Sequence, residues 1–197
     1  MRPSSSQLPH PLAIALIEHL VGRDHASVVD FGTGQGRNAK ALREAGLHVI
    51  AVDDAAAADA SLAWEKDLAR SREIAAVLST HALLHGTPEV NVRRLGAFAR
   101  YLMPRGLFFA TFASIRDARY GAGTRVTEDT FAPTSGDERG VAHVYYGEAG
   151  LRALLDSHFA IESLEEHDVD TVAGTWAHPA TPLRNAVHWF ASTRVRS

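Results

Sequence analysis

The pattern of apolar and polar positions divides the chain into runs that predict alternating helices and strands. PLAIALIEHLV at 11–21 has helical spacing and predicts an amphipathic helix to about Gly22. SVVDF at 27–31 is a β-branched, buried type of run that stops at three closely spaced glycines. NAKALREAG at 38–46 then predicts a helix ending at Gly46, and LHVIAVD at 47–53 a second strand. Strand, glycine turn, helix and strand in this order define a right-handed βαβ unit with parallel strands.

Further along, EIAAVLST at 73–80 predicts a buried strand, VNVRRLGAFARYLMP at 90–104 a helix closed by Pro104, and GLFFATF at 106–112 another strand. GEAGLRALLDSH at 147–158 reads as a helix, and FAIESLEEHDV at 159–169 and RNAVHWFASTRV at 184–195 as two strands. The connection between these last two is too short for a helical crossover, so they pair antiparallel. SLAWEKDL at 61–68 admits two readings, a short strand ending at Asp67 or part of one Ala-rich helix over about 55–75; the strand is favoured. The expected fold is therefore α/β, a Rossmann-like three-layer sandwich with a mostly parallel sheet and one antiparallel strand near the C-terminus.

A length of 197 residues and a hydrophobic content of 46% suit one domain over 1–197 with a sheet covered on both faces. Residues 1–10 read as a loose leader. Residues 113–146 form a long, polar, Gly-rich connection with little periodicity, expected to be a substrate-side loop. The net charge of -3 with interspersed signs gives no basic stripe for nucleic acid. No run approaches the length of a membrane span, and the apolar start lacks a strong basic leader, so a cytoplasmic protein without membrane or nucleic-acid partners is expected, as monomer or homodimer. With no cysteine there is neither disulfide nor thiolate chemistry.

The chemistry concentrates at VVDFGTGQGRN, 28–38, where Gly32, Gly34 and Gly36 turn a strand into a helix and let a ligand approach the backbone. The spacing is G-x-G-x-G with Asp30 two residues ahead, and Arg37 stands where a dinucleotide fingerprint would have its last glycine. Asp53, ending the second strand about 20 residues after the turn, is where a carboxylate accepts a ribose diol. Acids without a replacing base suit a cationic ligand better than a phosphate.

In this order and context, DFGTGQGRN at 30–38, AVDD at 51–54, DL at 67–68 followed by VLST at 77–80, and LMPRGLFFATF at 102–112 resemble class I S-adenosylmethionine-dependent methyltransferases, in particular the tellurite-resistance (TehB-like) and thiopurine-methyltransferase-like group, over roughly Val28 to Thr193. The resemblance implies S-adenosyl-L-methionine as cofactor and methyl transfer to a small-molecule acceptor. It implies that Asp30 and the backbone of Gly32, Thr33, Gly34, Gln35 and Gly36 hold the methionine part, that Asp53 takes the ribose hydroxyls, and that Asp67 and Leu68 border the adenine. Asn38, Asp54 and Ser79 complete the implied cofactor set. The chain departs from the family's pattern in a shortened segment between Asp53 and Ala75 and in Pro104-Arg105-Gly106 before the fifth strand, which implies a more open or an altered adenine side.

His81 and His85, four apart after the strand at 73–80, suggest pocket-lining residues; Ala82 breaks the H-E-x-x-H pattern and no third ligand suggests itself, so no metal is expected. His81 and His143 are the candidate proton acceptors, and His85, Tyr145 and Tyr146 candidate substrate contacts. His188 and Trp189 read as alternating strand positions, one inward and one outward, with a core role. Two other readings remain open from sequence: a non-catalytic binding protein on the same fold, and an NAD-type oxidoreductase.

Overall fold

The structure, a computed structural model, describes residues 8–23, 25–52, 64–71, 73–169, 171–172, 174–175 and 185–196. Helix α1 (Pro11–His19) is followed by β1 (Ser27–Phe31), α2 (Arg37–Glu44) and β2 (His48–Val52). Then come α3 (Glu65–Ala69), β3 (Ile74–Ser79), α4 (Pro88–Tyr101) and β4 (Leu102–Ser114). The remainder is β5 (Thr124–Thr127), β6 (Thr130–Ala132), β7 (His143–Tyr146), α5 (Glu148–Asp156), β8 (Phe159–Asp168) and β9 (Val187–Val195).

β2, β1, β3 and β4 lie side by side and parallel, and β9 runs antiparallel between β4 and β8. The chain winds outward from β1 to β2 in one direction and to β3 and β4 in the other, so the reversal of strand order falls beside β1. That crevice, at the carboxyl ends of β1 and β3, is where open α/β sheets bind ligands. The fold class read from sequence is the one observed, including the reversed strand near the C-terminus.

Two apolar layers sandwich the sheet. One face carries Phe31, Val77, Phe108, Phe112 and Phe159, packed under α4 and α5 through Phe98, Leu151 and Leu155. The other carries Val28, Ala76, Leu78 and Phe109 beneath α1 and α2, through Leu12, Leu16 and Leu42. Because both faces are covered, His188 and Trp189 are both buried, at 1% and 8% exposure, and the expected inward-outward split does not occur.

Two further expectations are corrected. Residues 65–69 form the helix α3, against the strand favoured for 61–68, and Trp64 and Leu68 from this segment sink into the core. The long polar connection after β4 contains a small antiparallel sheet, β5-β6-β7, which joins the main sheet where Ala113 and Ser114 pair with Tyr145 and Tyr146. Its tight end depends on Gly123, whose φ is +93° and where a Cβ would stand 2.2 Å from the Ala132 carbonyl oxygen. Among the described residues no helix is long and apolar enough to cross a membrane.

Candidate functional site

The glycine turn leaves β1 at Phe31 and is tied to the end of β2, since Gly32 N–H and Thr33 N–H both donate to the Val52 carbonyl at 2.7 and 3.0 Å. Gly32, Gly34 and Gly36 all have positive φ, and Gly36, at φ 77°, is the N-cap of α2. A Cβ at Gly34 or Gly36 would meet nothing within 4 Å. The bend is thus unobstructed there, with the amino end of α2 behind it.

Asp30 sits at the end of β1 and is 1% exposed. Oδ2 accepts from Thr33 Oγ1 at 2.9 Å, while Oδ1 is buried with no hydrogen-bond partner among the described residues. Burial pushes the carboxyl upward from its ordinary range, opposed by hydrogen bonds from the Thr33 hydroxyl and the Ala39 amide. Ser79 Oγ, one residue past the Asp30–Leu78 pairing, is likewise buried and unpartnered among the described residues. Buried polar atoms without partners cost stability, so a ligand that supplies donors here is favoured.

Asn38 does not reach outward. Its Oδ1 accepts from His10 N–H at 2.9 Å and its Nδ2 donates to Thr80 Oγ1 at 2.9 Å, so it ties α2 to the entry of α1 and the end of β3. Arg37 Nη1 donates to the carbonyls of Leu8 and Gly174 at 3.0 and 2.5 Å. Segments 8–10 and 174–175 therefore meet at Arg37, and Leu8–His10 is pinned beside the start of α2. Leu68 has no exposed surface and packs in the core. α3 contains Asp67. Asp53 and Asp54 lie outside the described residues.

His81 stands just past β3 with a φ of 62°, and its N–H donates to Thr111 Oγ1 at 2.8 Å. Its Nε2 faces the Thr175 carbonyl oxygen, which can only accept, so Nε2 carries a proton and Nδ1 is the basic atom of the neutral ring. His10 and His188 flank it, with ring centroids 5.7 and 5.1 Å away. His10 is held well below its ordinary range by burial and then by His81, and burial pushes His188 down to about 3. Both rings are neutral near pH 7.

Sequence reading missed what holds this cluster. Asp117, 3% exposed, accepts from Arg119 Nε and Nη2 at 2.8 Å each and from Val187 N–H at 2.9 Å, and Arg119 Nη2 lies 3.3 Å from His188 Nε2. An Asp-x-Arg pair in a polar loop carries no periodic signal, and His10 is hidden in the leader; only the fold brings them together.

The other candidates separate from His81. Tyr146 is in the core, accepts from Asn91 Nδ2 at 3.0 Å, and is pushed up to about 12 by burial. Tyr145 packs edge-on against Tyr120 and is also pushed to about 12 by burial. The Tyr146 hydroxyl is thereby tied to α4. His143 Nδ1 donates to the Val141 carbonyl at 2.8 Å and Nε2 faces Glu138 Oε2 at 3.1 Å. Both nitrogens of His143 are thus engaged within its own loop. His85 joins it, with Nε2 3.4 Å from Glu138 Oε1.

No family model matches the sequence, and no curated protein matches it significantly. Solved structures do match the fold. The 1,6-didemethyltoxoflavin-N1-methyltransferase of Burkholderia thailandensis, solved with 1,6-didemethyltoxoflavin and S-adenosylhomocysteine, is 19% identical with a TM-score of 0.64 over 100% of this chain and 80% of that one. A Methanosarcina mazei S-adenosylmethionine-dependent methyltransferase is 14% identical with a TM-score of 0.64, over 95% and 98% of the two chains. The magnesium protoporphyrin IX methyltransferase of Synechocystis PCC 6803, solved with S-adenosylmethionine, is 18% identical with a TM-score of 0.54, over 94% and 78%. The chain has the Rossmann-like fold of the S-adenosylmethionine-dependent methyltransferases.

Proposed function

We propose that the chain is an S-adenosylmethionine-dependent methyltransferase acting on a small-molecule acceptor. The observation that carries this reading is the unobstructed Gly34–Gly36 bend above the amino end of α2, with the buried, half-paired Asp30 carboxylate at the end of β1. An unpaired buried carboxylate oxygen fits the ammonium of S-adenosylmethionine, whereas a dinucleotide's phosphates would be repelled by it. Asp30 and the turn from Gly32 to Gly36 would hold the methionine part, Ser79 Oγ would border it, and Asp53 and Asp54 would take the ribose. When bound, the cofactor supplies a methyl group on sulfonium sulfur, already activated for in-line displacement.

The chain's own share of the work is positioning and proton control. Segments 8–10 and 174–175, pinned through Arg37 and Asn38, exclude water from above. His81, held by the Thr175 carbonyl at Nε2, is the candidate residue to take a proton from an acceptor hydroxyl or ammonium. The buried neutral rings of His10 and His188 keep added positive charge away from the neighbouring cation site.

Thermal unfolding with and without S-adenosylmethionine tests the reading. A ligand at about 100 times its dissociation constant stabilises by roughly 2.7 kcal/mol, an easily resolved rise in Tm. No rise at millimolar cofactor would favour a protein that kept the fold without the function.

A further inference from the structure

The three segments around the β6-β7 hairpin bring together His85, Glu138 and His143, whose ligand atoms all lie within 4.8 Å of one another. We infer that these residues form a site for a divalent transition metal of the zinc type. This stands apart from the methyl-transfer proposal, since it involves neither the glycine turn nor His81.

The spacing fits. A tetrahedral ion with bonds of about 2.0 to 2.1 Å places its ligand atoms roughly 3.3 Å apart. The observed separations are 3.1 Å from His143 Nε2 to Glu138 Oε2 and 3.4 Å from His85 Nε2 to Glu138 Oε1, each histidine facing its own oxygen, and with all three ligand atoms within 4.8 Å a small turn of the side chains closes the set around one ion. Two imidazoles and one carboxylate favour a nitrogen-seeking ion over magnesium or calcium.

Orientation is the second, independent observation. The His143 Nδ1–H is used by the Val141 carbonyl, the second-layer arrangement that fixes a ligating imidazole. Its Nε2 faces Glu138 Oε2 at 3.1 Å, so an ion entering between them would replace the proton that the pair now shares, as ligation at histidine requires. The backbone holds the two histidines in register: they form an antiparallel bridge, flanked by Val144 N–H to the Leu84 carbonyl and Gly86 N–H to the Ala142 carbonyl at 2.8 Å each. Arg94 Nη1 donates to the His85 carbonyl at 2.7 Å, so the main chain of this ligand is anchored from α4. The side chains are 17%, 4% and 36% exposed for His85, His143 and Glu138, so an ion enters from the Glu138 side and keeps a water on its open position.

The test is calorimetric titration of chelator-treated full-length protein with Zn2+, together with Glu138→Gln, His85→Gln and, as a control for surface imidazole, His48→Gln. One ion per chain is expected for the parent and the control, with affinity falling by roughly 100-fold or more in the two ligand variants, at or beyond the loss that supporting residues give. Absence of stoichiometric binding, or binding of equal strength in Glu138→Gln, overturns the site. Co2+ gives a reading on the parent alone: intense four-coordinate visible bands support it, and the pale six-coordinate spectrum of the free ion contradicts it. Cofactor titrations on the same samples report on the methyltransferase reading separately, because none of the three residues is among those assigned to the cofactor.

Discussion

Thr33 Oγ1 donates to Asp30 Oδ2 across 2.9 Å, and the other oxygen of that carboxylate is buried without a partner among the described residues. The turn thereby presents a charge that the protein itself only half satisfies. Asp30→Asn should raise the stability of the ligand-free protein, since the amide avoids the burial of charge, and should weaken S-adenosylhomocysteine by roughly 1.5 to 3 kcal/mol, the worth of a hydrogen bond to a charged group. Denaturation and calorimetry on the same variant check both halves; lower stability with unchanged affinity would assign Asp30 to the fold.

Asp53→Ala tests the ribose assignment. Binding of S-adenosylhomocysteine should weaken by roughly 1.5 to 3 kcal/mol with little change in Tm. An unaltered dissociation constant removes Asp53 from the site.

Glycine substitutions should split by what surrounds them. Gly34→Ala places its methyl in open space at a φ of +48°, so its stability cost stays near the left-handed penalty of roughly 1 to 2 kcal/mol, and cofactor binding suffers. Gly123→Ala drives a Cβ into the Ala132 carbonyl and should cost more stability than Gly34→Ala, through the hairpin. Equal stability losses in the two variants would contradict the description of the bend as open.

The pH dependence of stability has opposing parts. His10 and His188 are lowered by burial, His188 to about 3, so below the unfolded value of 6.5 the unfolded chain takes up protons that the folded chain refuses, and stability falls as pH drops. Asp30, raised by burial, acts the other way, because the folded state binds its proton more readily and regains stability on acidification from above 3.8. His188→Gln isolates one histidine: the slope between about pH 6 and about pH 5 should flatten by up to roughly 1.4 kcal/mol per pH unit. A slope identical to that of the parent would mean that His188 is not kept neutral.

Legibility in sequence followed periodicity. β1, β3, β4, β8 and β9 are apolar or alternating runs bounded by glycine, proline or polar turns, and each was readable within a few residues. The segment that became α3 was not, because SLAWEKDL has too few residues to distinguish period 2 from period 3.6. The hairpin β5-β6-β7 was hidden in a polar stretch because its four exposed positions at Thr124–Thr127 leave no apolar alternation. At the site, the glycine turn and Asp30 were legible from local spacing. The partners of His81 were not, since Thr175 and His10 are 94 and 71 residues from it and depend on how the chain closes over the sheet. The partners of His143 were hidden for a related reason: an imidazole in a polar loop gives no sign of which acceptors will take up its nitrogens.

Calorimetric titration with S-adenosylhomocysteine, run beside NADH, bears most directly on whether the bend after β1 holds this cofactor. One site per chain for S-adenosylhomocysteine with no heat from NADH is the predicted result. Binding of NADH without S-adenosylhomocysteine, or of neither at millimolar concentration, would contradict it.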